Sequence, residues 1–451
     1  MKKTEIIYDV AVVGGGPSGM MAAGRAAELG AKVILIEKND SLGKKLLITG
    51  GGRCNLTNAE FDTRKFLEKF KNGGKFLFSA FSQFSVKETL EFFHKCGVET
   101  KIENEQRVFP VSGNAKTVFD ALLKYLKKNK VEIILNSPVV DILMDINSNC
   151  HPHAGGNLDL INASLDPRLH GDDKVCVIKV KDGKEILARK VIIATGGTSR
   201  PETGSTGDGF AWLRKIGHAV IEPAPSLVPI AVKDDWVKKL AGLSLANVKI
   251  ATFQNDAKQE TNKGKIIFTH FGLSGPAILN MSRSIGELLK YGEVIISLDL
   301  FPSENHGALN LKLQELFKEN HSKKFKNALH ALAPLAAGLA SAIVEMSKIN
   351  PDTECNSITR EERLALVNIL KNIPIRADKL LGAEKAIVSS GGVSLREIDF
   401  KTMSSRLFPN LYLAGDILNI DRPSGGYSLQ LCWTTGFVAG SSSGKSEHIS
   451  N

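Results

Sequence analysis

The stretch IIYDVAVVGGGPSGMMAAGRAAELGAKVILIE, residues 6–37, determines the fold of the first part of this chain. Residues 6–13 are an apolar, β-branched run that ends at three glycines, which predicts a buried strand. The segment from Ser18 to Leu29 is rich in alanine and methionine and stops at Gly30, so we expect a helix closed by glycine. Residues 32–37 predict a second buried strand, and the three elements make a βαβ unit.

The turn between the first strand and the helix carries the pattern G-x-G-x-x-G at Gly14, Gly16 and Gly19. In this pattern the first glycine permits a tight turn and the second lets the backbone approach a pyrophosphate at a helix N-terminus. The third lets the helix pack closely on the strand. Glu37 closes the next strand, where a carboxylate accepts hydrogen bonds from a ribose hydroxyl. The order of elements predicts a dinucleotide site, but it leaves FAD and NAD both open.

The rest of the chain bears on that choice. The G-x-G-x-x-G pattern occurs once, and glycine-rich strand ends recur far downstream at VIIATGG (191–197) and LYLAGD (411–416). A cofactor longer than NAD would need contacts of this kind from distant segments that fold back onto the first sheet.

The segment after the βαβ unit is mostly helical in pattern over residues 61–130, and two strands near 139–146 and 175–183 predict a hairpin. Between them, residues 148–174 are rich in Pro, Gly, Asp and His without a period, which indicates an inserted loop. His151 and His153, on either side of Pro152, raise a metal site as an alternative to a solvated loop. Two histidines do not complete a coordination sphere, so we favour the loop.

The second half of the chain changes character twice. Short alternating segments from about 201 to 275 predict a small antiparallel β domain. Residues 308–372 show helical spacing, which predicts a helical subdomain inserted in that domain, and a final helix is expected near 427–440.

Composition limits the classes of function. The net charge is +10, but the lysines are spread along the whole length and no basic stripe interleaved with aromatics is evident, which disfavours a nucleic-acid partner. We expect a cytoplasmic protein without a membrane partner, because neither a long uncharged apolar run nor a signal-peptide pattern is found. The sequence contains no C-x-x-C pair, so it indicates neither a disulfide framework nor a zinc site. The cysteines are Cys54, Cys96, Cys150, Cys176, Cys355 and Cys432.

The stretch GKKLLITGGGRCNLTN at 43–58 resembles a signature of the bacterial BaiN-like NAD(P)/FAD-dependent oxidoreductases. The resemblance covers nearly the whole chain apart from 148–174. The other matching blocks are ATGGTSRPETGSTGDG (194–209), PSLVPI (225–230), FTHFGLSGPAIL (268–279), SSGGVSLREID (389–399), and YLAGDIL through GGYSLQLCWTTG (412–436).

The resemblance implies an α/β fold of the two-dinucleotide-binding-domain type. A Rossmann-like FAD-binding domain would be assembled from the N-terminal and C-terminal segments, with an inserted β domain and a helical subdomain. The expected limits are 1–200 with 385–451 for the FAD-binding domain, 201–305 with 373–384 for the β domain, and 306–372 for the helical subdomain.

The resemblance also implies which residues hold FAD. Two positions depart from the family pattern, Asp416 where Glu is common and Ser428 where Asn is expected, and both replacements keep hydrogen-bonding character. The expected cofactor-binding residues are Gly14, Gly16, Pro17, Ser18, Gly19, Glu37, Lys38, Lys45, Thr49, Gly51, Gly52, Arg53, Cys54, Asn55, Thr195, Gly196, Gly197, Gly415, Asp416, Gly425, Gly426 and Tyr427.

The start of the last helix has a physical reason to face the flavin. Reduced flavin carries negative charge at its pyrimidine edge, and free N–H groups with the dipole of a helix start stabilise that charge. Gly425 and Gly426 would let the backbone approach the ring.

Catalytic candidates each have a structural alternative. Cys54 and Cys432 suggest thiol redox chemistry or, as we favour, simple packing. Arg53 would orient substrate or flavin oxygens, or form an ion pair that fixes its loop. His270 is the best candidate for a proton donor, although lone histidines are often structural. The polar loop from Thr203 to Asp208 predicts a hinge with some cofactor contact.

We therefore expect a flavoprotein that passes hydride between flavin N5 and a small or medium apolar substrate beneath the inserted domain. NAD(P)H is the donor that the resemblance implies, and no second dinucleotide fingerprint accompanies it. The alternatives are an oxidase that uses oxygen and a tRNA-modifying flavoprotein, the latter motivated by the net charge of +10. Neither the substrate nor the oligomeric state follows from the sequence.

Overall fold

A computed structural model describes residues 6–144, 175–332 and 335–445. The chain divides into two compact units, unit 1 (Met1–Pro225 with Val388–Asn451) and unit 2 (Ser226–Ile387). The insertion at 148–174, with His151 and His153, lies outside the described residues.

Local sequence patterns account for most element boundaries. Capping boxes begin two helices, at Ser85 with Glu88 and at Thr359 with Glu362, because each pair satisfies backbone N–H groups that a helix start leaves unbonded. The strands are β1 (Ile7–Val13), β2 (Val33–Ile36), β3 (Thr57–Asn58), β4 (Thr100–Glu103), β5 (Arg107–Pro110), β6 (Glu132–Ile134), β7 (Val139–Leu143), β8 (Cys176–Val180), β9 (Glu185–Ile193), β10 (Val220–Ser226), β11 (Ile230–Val232), β12 (Ser244–Gln254), β13 (Ala257–Thr269), β14 (Gly272–Ser274), β15 (Ile295–Asp299), β16 (Ile373–Leu380), β17 (Val388–Val393) and β18 (Leu411–Leu413). The helices are α1 (Pro17–Glu28), α2 (Lys44–Ile48), α3 (Thr63–Glu68), α4 (Gly74–Gln83), α5 (Val86–Lys95), α6 (Ala115–Lys128), α7 (Asp208–Lys215), α8 (Asp235–Lys239), α9 (Pro276–Leu289), α10 (His306–Glu319), α11 (Phe325–Leu329), α12 (Ala337–Ser347), α13 (Arg360–Lys371) and α14 (Tyr427–Ser443).

Unit 1 is built on a sheet with the order β6-β2-β1-β9-β8-β7, and β18 also pairs with β9. Strands β6, β2, β1, β9 and β18 are parallel. Val13 of β1 and Leu413 of β18 both lie opposite Ile193 of β9, so the carboxyl ends of three strands from distant parts of the chain meet at one edge. That edge is where nucleotides bind in open α/β sheets.

Helices α1 and α14 pack against each other with glycine at the contacts. A methyl group added to Gly436 would lie 2.5 Å from the Ser18 carbonyl oxygen, and one added to Gly440 would lie 2.4 Å from that of Ala22. No real side chain tolerates such distances to backbone, so the two helices approach as closely as they do because these positions lack Cβ atoms. This contact attaches the last helix to the helix of the first βαβ unit.

Unit 2 contains a closed barrel in the order β11-β14-β13-β12-β15-β16. Its neighbouring strands are antiparallel, and buried Ile250, Phe268, Ile296 and Ile375 belong to its core. Helices α10 to α13 share that core through residues such as Leu313. The expected antiparallel β domain and helical subdomain are both present.

The predicted fold class is confirmed: a Rossmann-like α/β unit is assembled from N-terminal and C-terminal segments and interrupted by a β unit with helices. Residues 201–225, which the sequence analysis placed in the β domain, fall in unit 1 in this division. Phe210 and Leu213 of α7 are buried in the unit 1 core, which accounts for that placement. Among the described residues, no helix has both the length and the apolar character required to cross a membrane.

The substitution Gly440→Ala tests the contact between α1 and α14. We expect it to reduce the stability of unit 1 by about 1–3 kcal/mol, because the added methyl group meets backbone and not a movable side chain. Chemical denaturation monitored by tryptophan fluorescence, to which Trp212 and Trp433 of unit 1 contribute, would measure the shift. Ser442→Ala in the same helix is the matched control and should change the midpoint little, so an equal effect of both substitutions would contradict this role of Gly440.

Candidate functional site

The glycine turn after β1 has the geometry that the sequence predicts. Gly14 has φ +106°, and its N–H donates to the Ile36 carbonyl oxygen at 2.8 Å. A methyl group on Gly19 would lie 1.8 Å from the Gly14 carbonyl oxygen, so α1 packs directly on the turn. A methyl group on Gly16 would meet nothing within 4 Å. The backbone of Gly16 therefore borders open space at the N-terminus of α1, as a pyrophosphate site requires.

The Glu37 carboxylate at the end of β2 fixes this turn. Its Oε2 accepts from the Gly15 N–H at 2.7 Å, and its Oε1 accepts from the Asn39 backbone N–H and side-chain amide at 2.8 Å each. The side chain is buried, with 7% of the residue exposed. Contact of Glu37 with a ribose hydroxyl stays a prediction, and Asn39 is a partner that the motif did not reveal.

The loop from Thr203 to Asp208 is held against the residues that follow Glu37. Lys38 Nζ pairs with Asp208 Oδ2 at 2.8 Å and donates to Thr206 Oγ1 at 2.5 Å. The Asn39 side-chain amide donates to the Thr203 carbonyl oxygen at 3.0 Å. The loop is therefore anchored at several points beside the end of β2, and its role as a hinge stays a prediction.

The ATGG segment after β9 is anchored by Ser389 of β17. Ser389 Oγ accepts from the backbone N–H groups of Thr198 at 2.7 Å and Ser199 at 3.1 Å. A methyl group on Gly197 would lie 2.3 Å from the same oxygen, so this glycine is required for the contact. Lys45 of α2 donates to Ser199 Oγ at 3.1 Å, which joins the 43–58 block to this segment.

The glycine block after α2 is a run of left-handed backbone. Gly50, Gly51 and Gly52 have φ of +57°, +68° and +83°, and Cys54 has φ +62°. A methyl group on Gly51 would meet nothing within 4 Å, so its backbone borders open space as Gly16 does. Thr49 closes the turn by accepting from the Cys54 N–H at 2.9 Å. The run presents main-chain groups instead of side chains, which suits close approach to a flat ligand.

The segment after this block binds the start of α14. The Asn58 side-chain amide donates to the Gly425 carbonyl oxygen at 3.2 Å, and a methyl group on Gly426 would lie 2.3 Å from the Thr57 carbonyl carbon. In the amide orientation that satisfies both of its polar atoms, Asn55 accepts from the Gly426 N–H at 3.0 Å. The two glycine-rich blocks that the sequence assigned to the flavin are thus in direct contact.

Buried polar side chains reinforce that junction. Thr57 Oγ1 donates to Gln430 Oε1 at 2.7 Å, and the Gln430 amide donates to Thr89 Oγ1 and Thr434 Oγ1. The Trp433 indole donates to the Leu56 carbonyl oxygen at 3.0 Å. Every one of these side chains lies inside unit 1, so the first turns of α14 are tied to β3 and α5.

Asp416 pairs with Arg422, a residue that sequence reasoning missed. The guanidinium also donates to Ser428 Oγ at 3.1 Å and to the Ile420 carbonyl oxygen at 2.9 Å, and only 1% of the Arg422 side chain is exposed. Arg422 thereby closes the loop between β18 and α14, whose two ends carry Gly415 and Gly425. The available signal was the sequence DRPSGG: an arginine beside a predicted cofactor loop, between Asp421 and Pro423.

The ionisable groups around this loop are shifted by burial. Burial lowers the pKa of the Lys45 ammonium, and the negative charge of Asp416 partly offsets that effect. Burial raises the pKa of the Cys54 thiol to about 12, and burial with the nearby Asp416 raises that of Cys432 to about 12. Both thiols are therefore neutral near pH 7, which agrees with packing and not with thiolate chemistry.

The two catalytic candidates stand in different settings. Arg53 forms an ion pair with Glu103 and stacks over the Phe109 ring at 4.2 Å. The ion pair that the sequence analysis gave as the structural alternative for Arg53 is therefore present. His270 is exposed, lies between β13 and β14 in unit 2, and contacts the Phe271 ring. A catalytic role stays a prediction for both residues.

The arrangement in unit 1 fits FAD. Open backbone at Gly16 and Gly51 leaves space where a pyrophosphate and a flat ring would approach. The Ser18 and Thr195 hydroxyls are buried without a hydrogen-bond partner among the described residues, one at the N-terminus of α1 and the other after β9. Unpartnered buried hydroxyls are costly unless a ligand satisfies them. Contact of each expected residue with the cofactor stays a prediction.

The match to a Rossmann-domain family agrees with the architecture of unit 1. The family model described as HI0933-like protein Rossmann domain matches residues 8–442. The 3-dehydro-bile acid delta(4,6)-reductase of Clostridium scindens is 29% identical over 434 residues, which cover 96% of this chain and 98% of that protein. The ribosomal RNA dihydrouridine synthase of Escherichia coli is 26% identical over 432 residues, 96% of each chain. The solved 3-ketosteroid-delta4-(5alpha)-dehydrogenase of Rhodococcus jostii RHA1 has a TM-score of 0.49 at 13% identity, covering 99% of this chain and 98% of that one.

Replacing Arg422 tests its place in the loop. We expect Arg422→Met to weaken FAD binding about 10-fold or more, because Asp416 is left as a nearly buried carboxylate without its partner. The dissociation constant of Arg422→Lys should lie between those of the unchanged protein and of Arg422→Met. Lysine keeps the positive charge but lacks the several fixed N–H donors of a guanidinium. Fluorescence titration of the apoprotein with FAD gives the dissociation constants.

Arg376→Met is the control for the loss of an arginine, since Arg376 pairs with Asp234 in the barrel. Unchanged FAD affinity in Arg422→Met, in protein with a normal melting curve, would contradict the assigned role of Arg422.

Proposed function

This chain belongs to the HI0933-like Rossmann-domain family of FAD-dependent oxidoreductases, and we propose that it passes hydride between flavin N5 and a small or medium apolar substrate, with NAD(P)H as the donor. The observation that carries the proposal is the junction of the 55–58 segment with Gly425 and Gly426 inside the unit that holds the glycine turn. Together with the glycine turn after β1, this junction would offer main-chain groups to two separate parts of one long cofactor.

The residues of this chain bind and orient the cofactor in the proposal. When bound, FAD supplies the N5 position that gives or accepts hydride. Backbone N–H groups at the N-terminus of α1 would bind its pyrophosphate. The peptide dipoles of the N-terminal turn of α14 would stabilise the negative charge that reduction adds to the flavin. Lys45 lies near Asp416, whose negative charge partly offsets the lowering of the Lys45 pKa by burial.

The name of one relative favours an apolar substrate of medium size. The Clostridium scindens relative is by its name a bile acid reductase, and a bile acid is a medium-sized molecule with a large apolar surface. In unit 1, Cys54 and Cys432 carry neutral thiols, so they offer no nucleophile to a substrate. Hydride transfer to or from a carbon centre requires that the substrate be oriented against the flavin and that a proton donor be present. It needs no protein nucleophile.

A second candidate is an RNA-modifying flavoprotein. Two observations support it: the net charge of +10, and the name of the Escherichia coli relative, a ribosomal RNA dihydrouridine synthase. The two candidates share flavin chemistry and differ in the molecule that oxidises the reduced flavin.

Anaerobic mixing of the purified protein with NADH or NADPH tests the donor. We expect one of them to bleach the flavin absorbance band, because hydride transfer to the flavin removes the oxidised chromophore. An unsaturated bile acid ketone or an unmodified RNA transcript is then added, and the acceptor that restores the band identifies the substrate class. Rapid reoxidation by oxygen alone would favour an oxidase, and a lack of bleaching by both nucleotides would contradict the proposed donor.

His270→Gln tests the proposed proton donor. We expect it to slow reoxidation of the reduced flavin by the substrate at least 10-fold while reduction by NAD(P)H changes little, since general acid catalysis contributes roughly this much or more. Stopped-flow measurement separates the two half-reactions.

His330→Gln replaces another exposed histidine of unit 2 and is the matched control. If His270→Gln leaves both half-reactions at the control rates, His270 has no catalytic role.

A further inference from the structure

The exposed side of the α3–α4 hairpin carries more positive than negative charge. Over residues 61–78 the basic side chains number five and the acidic ones are Asp62 and Glu68, a balance of +3. None of the basic groups forms an ion pair with another described residue. Two phenylalanines in the same stretch are also exposed, Phe61 at 58% and Phe78 at 47%. We define the hairpin surface as Phe61, Arg64, Lys65, Lys69, Lys71, Lys75 and Phe78.

Helix electrostatics explain some of these cations and not others. Lys65 lies in the last turn of α3 and Lys69 is its C-cap, where a positive charge is favourable. Arg64 is the second residue of α3, where its charge interacts with the Asp62 carboxylate at the N-cap. Lys75 is the second residue of α4, at the positive end of the helix dipole, which is unfavourable for a cation. Helix electrostatics therefore do not explain the position of Lys75.

The apolar residues of the hairpin are already used inside unit 1. Phe66, Phe70, Leu77 and Phe81 are buried in its core. A helix that lies on a membrane needs a continuous apolar face directed at the lipid, and this hairpin keeps only separate phenylalanines on the outside. Cations that bind phosphates, together with single aromatic rings on which bases stack, are the combination found in proteins that bind single-stranded nucleic acid.

The hairpin is attached to the candidate site. The Asn72 side-chain amide donates to the Asn419 carbonyl oxygen at 3.2 Å, and Asn72 Oδ1 accepts from the Asp421 N–H at 2.8 Å. A methyl group on Gly73 would lie 2.7 Å from Ile420. The segment 419–421 leads directly to Arg422. The connection between α3 and α4 is therefore anchored to the loop that leads to Arg422.

The Tyr427 ring gives a second attachment. Its centroid lies 4.8 Å from that of Phe66 and 5.9 Å from that of Phe70, so α3 packs on the first residue of α14.

We propose that the hairpin surface binds single-stranded RNA, with its basic side chains at the phosphates and Phe61 and Phe78 stacked on bases. Cations and exposed aromatics occur together here, which is the combination that the sequence analysis did not find along the chain as a whole. The inference goes beyond the proposed function, because it assigns a binding surface and does not depend on which substrate oxidises the flavin.

The test uses the full-length, FAD-loaded protein and a fluorescein-labelled single-stranded RNA of mixed sequence, with binding followed by anisotropy at several salt concentrations. The quadruple variant Lys65→Gln, Lys69→Gln, Lys71→Gln and Lys75→Gln removes charge from the hairpin surface. We expect its RNA affinity at physiological salt to fall at least 10-fold. The slope of log affinity against log salt should decrease by up to about 3, since each lost phosphate contact contributes about 0.7.

The matched control removes the same charge from α6 and the residues that follow it. Lys124, Lys127, Lys128 and Lys130 are replaced by Gln together; all four lie at or near the surface. We expect this variant to bind RNA within about 2-fold of the unchanged protein, because counterion release depends on local phosphate contacts. Equal losses in both quadruple variants would show an effect of net charge alone and would overturn the proposal.

Three further measurements separate stacking, folding and lipid binding from the effect of charge. Phe78→Ala keeps every charge and should weaken RNA binding several-fold through lost stacking. The flavin spectrum and melting curve of each variant establish that it is folded.

Sedimentation with phosphatidylserine vesicles tests the alternative partner. Vesicle binding that depends on the hairpin lysines, without RNA binding, would overturn the proposal in favour of a membrane surface. Bleaching by NAD(P)H is measured separately, so failure of one proposal is distinguished from failure of the other.

Discussion

The contact between α1 and α14 is the constraint on which the architecture of unit 1 depends. The first helix follows the glycine turn at residue 14, and the last one begins at Tyr427, more than 380 residues later. They meet where Gly436 and Gly440 allow backbone to touch backbone at Ser18 and Ala22. Close packing of this kind gains dispersion contacts only at very short range, so it fixes the position of α14 along α1. The start of α14 is thereby fixed relative to the glycine turn.

The polar junction at the start of α14 follows from that constraint. With the helix held in place, its first residues reach the 55–58 segment, where Asn58 binds the Gly425 carbonyl oxygen. Buried amides and hydroxyls such as Gln430 then satisfy one another instead of water, which makes the junction specific as well as compact. Arg422 spans the remaining gap between β18 and α14. Segments that are distant in sequence thus meet at the candidate site.

The sequence could predict features that depend on local pattern. The βαβ unit and the strands that end at VIIATGG (191–197) and LYLAGD (411–416) have short-range signatures, and the structure contains these strands. The partners of the polar side chains could not be predicted in this way. Ser389 binds Thr198 across an interval of 191 residues, and neither residue belongs to a motif that names the other. The Asp416 partner was also missed, since Arg422 lies in an irregular loop where no period fixes the direction of a side chain.

The electrostatics of the candidate site depend on which charges remain after these pairings. Asp416 is neutralised by Arg422, Glu37 is occupied by N–H donors from Gly15 and Asn39, and the nearby thiols are protonated. The Lys45 ammonium and the N-terminal peptide dipoles of α14 are sources of positive potential in this part of unit 1. A helix dipole cannot lose a proton, whereas burial already lowers the pKa of Lys45. If the start of α14 faces the flavin as proposed, stabilisation of a reduced, anionic flavin would therefore depend most on α14, the helix that glycines hold against α1.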